Sequence, residues 1–327
     1  MGTLIADKFK AWQQECEERF LQLKKSEEEL NRIFIDIYGL QDELSAEVAD
    51  KDITVHRVYE TKDDVPDSMK TEKGALTSYV RLKSHEIVSL VSYAVGCMFG
   101  RYSLDVDGLA YAGGEWDASK YSSFIPDNDN ILPLTDEEYL PHDIVIRFVE
   151  FIRTVYGADT LEENLRFVAD ALGSKGNTAR EVIRNYFLRD FFKDHVKTYQ
   201  KRPIYWLFDS GKADGFKALI YLHRYNQDTV GRLRIDYLHR LQRVYENEIN
   251  RMREAVEVST DAREVSAAQK RLEKLTKQLK EAKEYDEKIA HLALARISLD
   301  LDDGVKVNYD KLQTYTDGKK YEVLAKI

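Results

Sequence analysis

Residues 238–258 read LHRLQRVYENEINRMREAVEV, and residues 262–282 read AREVSAAQKRLEKLTKQLKEA. In the first stretch Leu241, Tyr245, Ile249, Met252 and Val256 recur at steps of four and three. In the second, Ala268, Leu272, Leu275, Leu279 and Ala282 do the same. Such spacing places one apolar stripe along an α-helix. Val258-Ser259-Thr260-Asp261 interrupts the pattern. The reading is therefore an antiparallel helical hairpin over residues 230–297, each arm about 40 Å long at ~1.5 Å rise per residue, serving as a rigid spacer.

The flanking sequence extends a mainly helical pattern. Phe9, Trp12, Cys16, Phe20, Leu23, Leu30, Phe34 and Ile37 predict a long core-facing helix over 7–38, stopped by Gly39. Residues 45–80 are polar, with one short strand expected around Ile53, Val55 and Val58. Residues 85–98 return to a helix. The stretch 99–134 is rich in loop signals but also holds Tyr102, Tyr111, Trp116, Tyr121 and Phe124, as a loop packed by its own aromatics would. Thr135, Thr160 and Thr178 each precede a Glu at the third position, the pattern of a helix-starting capping box. Between the first two, Ile144 to Val155 mark another helix.

Residues 203–225 change period and read as a β-hairpin: Ile204 to Phe208, a turn over 209–215, then Phe216 to Leu222. Val305, Val307 and Tyr309 alternate after Asp303-Gly304, which predicts a second hairpin near the end. The fold class is mainly α with minor β (α+β): amphipathic helices, short β-hairpins and the long helical hairpin. Five segments follow: 1–44, a long helix; 45–172, acidic helices and loops; 173–229, a basic aromatic helix plus β-hairpin; 230–297, the helical hairpin; and 298–327, a hairpin or tail.

Composition narrows the class. Hydrophobic residues make up 43% of the 327 and charged residues 33%, enough for a core with long solvated helices. Cys16 and Cys97 are too few and too far apart for a disulfide framework or a cysteine zinc site. No stretch approaches a membrane span, and Met1-Gly2-Thr3-Leu4-Ile5-Ala6 lacks a signal core, so a cytoplasmic protein without membrane partners is expected. The net charge of −9 hides a division. Residues 1–150 carry 16 basic and 30 acidic side chains, whereas residues 175–254 carry 17 basic and 10 acidic. A segregated basic zone binds a polyanion even on an acidic chain.

Few chemical motifs are present. No phosphate-loop fingerprint occurs; Gly173 to Thr178 comes nearest and reads better as a helix cap. The seven histidines show no metal-ligand spacing, and Asp300, Asp302 and Asp303 lack the rest of a calcium loop. None of the five prolines adjoins another, so no Asn/Asp-Pro-Pro-aromatic loop holds an extruded adenine. No catalytic, cofactor-binding or metal-binding residue is assigned. The positive signal is the basic, aromatic zone. Lys175, Arg180, Arg184, Lys201, Arg202, Lys212, Lys217 and Arg224 are the candidate DNA-binding residues, because cations position a protein on phosphates. A solvated basic surface without a ligand fits the same residues.

Seven blocks occur in order across about residues 28–310: LNRIFIDIYGL (30–40), FGRYSL (99–104), GLAYAGG (108–114), REVIRNYF (180–187), KRPIYWLF (201–208), GFKALIYLHRY (215–225) and DLDDGVKVNY (300–309). Together they resemble the C-terminal region of the PglX-like adenine-specific DNA methyltransferases of BREX phage defence. The resemblance implies a fragment, or a separately encoded piece, of such an enzyme. In that family the S-adenosylmethionine loop and the Asn-Pro-Pro-aromatic loop lie upstream, so S-adenosylmethionine belongs to the parent enzyme and no cofactor is expected in this chain. The implied role is DNA recognition and scaffolding, with double-stranded DNA, the methyltransferase core and other defence-system proteins as partners. The alternative is a protein-interaction module, suggested by the acidic front half, that binds other defence components or a phage inhibitor.

Overall fold

A computed structural model describes residues 2–327. The helices are α1 (Ile5–Tyr38), α2 (Lys83–Met98), α3 (Ile144–Tyr156), α4 (Leu161–Leu172), α5 (Ala179–Arg189), α6 (Phe191–Thr198), α7 (Thr229–Arg232), α8 (His239–Val258), α9 (Ala262–Ala295) and α10 (Val305–Leu312). The strands are β1 (Arg57–Tyr59), β2 (Val80–Leu82), β3 (Ile131–Pro133), β4 (Tyr205–Asp209) and β5 (Lys217–Tyr221). The fold is mostly helical α+β, 56% helix and 7% strand. The chain forms two compact units, residues 1–91 with 155–173, and residues 92–154 with 174–327.

In the first unit the N-terminal half of α1 carries the core. Phe9 and Cys16 pack with Val58, and Phe20 packs with Ile53, Val65, Met69 and Val80. Beneath them β1 and β2 form a parallel pair. Arg57 grips Glu17 through two bonds of 2.6 and 2.7 Å and lies 4.6 Å over the Phe20 ring. The C-terminal half of α1 departs from the core-facing expectation. Leu30, Phe34 and Ile37 are 52%, 50% and 68% exposed. The apolar stripe continues there, but no neighbouring element covers it within this unit. Gly39 ends the helix at φ +67°, in the left-handed region.

The second unit is built on the helical hairpin. Leu241, Tyr245, Ile249 and Met252 of α8 and Ala268, Leu275, Ala282, Tyr285, Ile289 and Leu292 of α9 are buried, as the heptad-like spacing requires. They share one core with Trp206, Phe208, Phe216, Ala218 and Ile220. The hairpin is thus a wall of the core as well as a rod. A π-helical stretch, Leu233–Leu238, joins α7 to α8.

The expected β-hairpin is present as antiparallel β4 and β5, with Tyr205 opposite Tyr221 and Asp209 opposite Lys217. Sequence reading missed its third strand, because β3 is three residues long and pairs with β5 from a distant loop, Ile131 opposite Ile220. The β4–β5 turn closes around one carboxylate of α9. Glu281 accepts from Ser210 Oγ at 2.7 Å, Ala213 N at 2.8 Å and Gly215 N at 3.0 Å. Any side chain at Gly215 would meet the Gln278 carbonyl at 2.5 Å, so glycine is required by the close approach of the turn to α9.

Two local readings are corrected. Residues 301–312 are not a β-hairpin: a 3-10 turn over Leu301–Asp303 leads into α10. Asn308, Tyr309 and Leu312 are the buried positions, a helical spacing that outweighs the alternation of Val305, Val307 and Tyr309. The Asp-Gly turn that does form lies at Asp317-Gly318, where Thr314 bridges Lys320. The second correction concerns Thr135, which opens no helix. Its hydroxyl bonds the Asp143 carboxylate at 2.7 Å instead. Thr178 does cap α5, accepting from Glu181 N at 3.2 Å.

Candidate nucleic-acid interface

The basic positions separate into two groups once folded. Arg184, on α5, is buried. Its guanidinium donates to Asp143 Oδ2 at 2.8 Å and to the Thr135 carbonyl at 2.7 Å, and lies 3.6 Å from Glu138. Lys217 is also buried, 3.3 Å from Asp209 and 3.2 Å from Asp214, and Asp214 in turn pairs with Arg189. These two cations hold the fold together and do not face solvent. Arg180 is half-buried at the start of α5.

Lys175, Lys201, Arg202 and Lys212 are exposed, and none makes an ion pair among the described residues. Gln200 and Lys201 take positive φ, +50° and +61°, as the chain leaves α6, and Lys201 N donates to the Val196 carbonyl at 2.8 Å. That ending projects Lys201 and Arg202 at the entrance to β4. The strand register then sorts the sites. Lys201, Arg202 and Arg224 lie toward one end of the sheet, where Tyr205 pairs with Tyr221. Lys212 lies at the other, about 17 Å away along five residues of strand.

At the first end a loop-built surface meets the sheet. Arg224 donates to three carbonyls, of Phe99 at 3.2 Å, Asp127 at 2.8 Å and Asn128 at 3.2 Å, and its guanidinium lies 4.3 Å over the Trp116 ring. Trp116 stacks on Tyr121 at 4.9 Å. Tyr221 OH donates to the Tyr111 carbonyl at 3.1 Å, and Tyr111 OH donates to the His223 carbonyl at 3.3 Å. Arg101 donates to Tyr221 OH at 3.2 Å and lies over Tyr102. The aromatics of residues 99–134 therefore do pack one another, and they also carry two guanidinium groups.

A cavity of about 510 Å³ opens beside Arg224, lined also by Trp116, Tyr111, Ile125, residues 127–130, Asn226 and Arg232. Its floor is rigid. Asn130 exchanges two hydrogen bonds with the Tyr221 backbone, at 2.9 and 3.1 Å. Asp127 accepts from Asp129 N and Ile131 N, both at 3.2 Å. Burial, with the neighbouring Asp129 carboxylate adding to it, pushes Asp127 up to about 7. Sequence reasoning passed over Arg101, Trp116, Asn128 and Asn226 as parts of the site. The only signal was the density of aromatic and Asn/Asp residues in a long loop.

No family model matches the chain. It is 49% identical over 311 residues to an adenine-specific methyltransferase PglX of Lacticaseibacillus casei (strain Zhang), covering 94% of this chain and 24% of that protein. It is 45% identical over 244 residues to an adenine-specific methyltransferase BrxX of Escherichia coli O9:H4 (strain HS), covering 71% of this chain and 20% of that protein. The chain is a homologue of part of the PglX and BrxX adenine-specific methyltransferases. It spans about a quarter of the length of the curated relatives it matches. Three blocks that carried the PglX resemblance, 99–104, 108–114 and 215–225, meet at the Arg224–Trp116 surface. The contacts are Arg224 to Phe99, Tyr221 to Tyr111, and Ala110 N to the Arg101 carbonyl at 2.9 Å. Among the described residues no group of His, Cys, Asp and Glu is placed to hold a metal ion, and no helix is long and apolar enough to cross a membrane.

Proposed function

We propose that this chain is the DNA-recognition and scaffold portion of a site-specific N6-adenine DNA methyltransferase of a BREX-type phage-defence system, acting in the cytoplasm. Methyl transfer from S-adenosylmethionine belongs to the methyltransferase core with which this portion works. The observation that carries the reading is the set of exposed cations without ion pairs, Lys175, Lys201, Arg202 and Lys212, on a homologue of adenine-specific methyltransferases. Duplex DNA is bound chiefly by neutralising phosphates, and exposed, unpaired cations do so without first breaking an internal pair. Arg184 and Lys217 take no part as phosphate contacts, because their charges are already matched inside the fold. Arg224 acts as a fixed support for the loop-built surface.

The test is the joint variant Lys175→Ala, Lys201→Ala, Arg202→Ala and Lys212→Ala. All four side chains are exposed, so folding is retained. Affinity for duplex DNA at moderate salt should fall at least about a hundredfold, uniformly across sequences. Unchanged affinity would refute the proposal.

A second reading has one observation in its favour. The exposed apolar end of α1, with Leu30, Ile33, Phe34, Ile37 and Tyr38 each about half or more exposed, suits a protein partner. Protein capture from a lysate that survives nuclease treatment and is lost in Ile37→Asp would favour this interaction module over DNA recognition.

A further inference from the structure

The cavity beside Arg224 has a composition that the phosphate contacts do not use. One wall is flat and π-rich, because the Arg224 guanidinium is pinned over Trp116 by three carbonyl acceptors. A planar cation held over an indole presents a stacking surface for another flat ring. The rim is apolar and open: Trp116 is 39% exposed and Ile125 60% exposed. Its polar groups are unspent. Asn226 uses its side-chain oxygen on Asp228 N at 2.9 Å, which leaves its amide hydrogens. The Asn128 amide has no hydrogen-bond partner among the described residues, and Arg232 is exposed with no ion pair. The π-helical stretch that follows Arg232 is itself tied to the cavity floor, since Tyr237 OH donates to Asp129 at 2.8 Å.

A flat stacking wall, amides and one unpaired cation are complementary to a planar base with its phosphate. Amide side chains pair with base edges, and arginine pairs with phosphate. The cavity volume lies within the roughly 300–1,000 Å³ of small-molecule sites. Its concavity matters. Base edges inside a duplex groove are read by side chains that protrude, whereas a recess takes a base that has left the stack. We infer that this cavity binds a single unstacked nucleotide, its base against Arg224 and the Asn128 and Asn226 amides and its phosphate at Arg232. The inference rests on the DNA-recognition reading for its source, an extrahelical nucleotide of the bound duplex, while a free mononucleotide has the same chemistry.

The test uses the full chain and three probes: a perfect duplex, the same duplex carrying one bulged nucleotide, and the four free deoxynucleoside monophosphates at millimolar concentration. The parent should bind the bulged duplex about tenfold more tightly than the perfect one, as one stacked base contributes. Asn226→Ala and Arg232→Ala, both at exposed positions, should abolish that preference while leaving affinity and salt dependence on the perfect duplex unchanged. Saturable binding of a free monophosphate, lost in the same two variants, would support the nucleotide site and assign it a soluble source. The inference is overturned if the parent neither prefers the bulged duplex nor saturates with a monophosphate, or if both variants behave as the parent. Failure of the DNA-recognition reading shows separately, as absence of salt-dependent binding to the perfect duplex.

Discussion

Asp143→Ala should destabilise the second unit by about 3–5 kcal/mol, measured by denaturant unfolding. Asp143 is fully buried and accepts from Arg184 at 2.8 Å, Thr135 Oγ at 2.7 Å, Thr135 N at 3.3 Å and Val145 N at 2.9 Å. Its removal leaves a buried guanidinium whose closest remaining carboxylate, Glu138, lies 3.6 Å away and more than half exposed. An uncompensated charge in the interior dominates the loss, and each neutral hydrogen bond adds about 1 kcal/mol. Removing both charges is milder than removing one. Asp143→Leu combined with Arg184→Met should therefore recover the share of the loss due to the unpaired guanidinium, while the unmade bonds of Thr135 and Val145 remain. A cost below about 1 kcal/mol for Asp143→Ala would mean that the pair does not hold the fold.

Asp127→Asn should change how stability depends on pH. In the folded chain Asp127 keeps its proton up to about pH 7, while an unfolded Asp gives it up near 3.8. Between those values the folded state holds the extra proton, so rising pH lowers stability. His195 works in the opposite direction. Burial, reinforced by Arg101, holds it down to about 3, against 6.5 for the free side chain, and its Nε2 accepts from Ile204 N and Tyr205 N at 3.1 and 3.0 Å. From pH 6.5 down to 3 the unfolded state therefore binds the extra proton and acid lowers stability. Between about pH 4 and 6.5 the Asp127 and His195 slopes oppose each other. Asparagine retains an acceptor for the Ile131 amide but cannot ionise. Relative to the parent, the variant should lose about 1.4 kcal/mol per pH unit over that window as the pH falls. Equal pH profiles for the two chains would contradict the burial argument.

The helical hairpin was legible because its stripe repeats for many turns, and each buried position from Leu241 to Ala282 is local information. The β4–β5 hairpin was legible for the same reason. What escaped was set by partners that only the folded chain brings together. Arg184 meets Asp143 across 41 residues, and Lys217 turns inward because Asp214 and Asp209 flank it in the folded turn. A basic residue in a sequence carries no mark of whether its acid lies nearby. The C-terminal Asp-Gly pairs show the limit of turn chemistry: Asp303-Gly304 and Asp317-Gly318 look alike, and only packing of Asn308 and Leu312 decides which one begins a helix. The α1 stripe shows the converse, a pattern read correctly as amphipathic whose second half finds no cover within its unit. The Arg224 cavity was the least legible feature, since residues 111–130 and 224–232 build it from loop segments and the end of α7, with no shared periodicity.

The decisive measurement is the salt dependence of duplex binding by the full parent chain. Four phosphates neutralised by Lys175, Lys201, Arg202 and Lys212 imply that the logarithm of affinity falls linearly with the logarithm of salt concentration, with a slope of about −3.6. A slope near that value, reduced almost to zero in the joint alanine variant, is the expected result. Affinity that does not respond to salt, or the same slope in parent and variant, would contradict the assignment of this chain to DNA recognition.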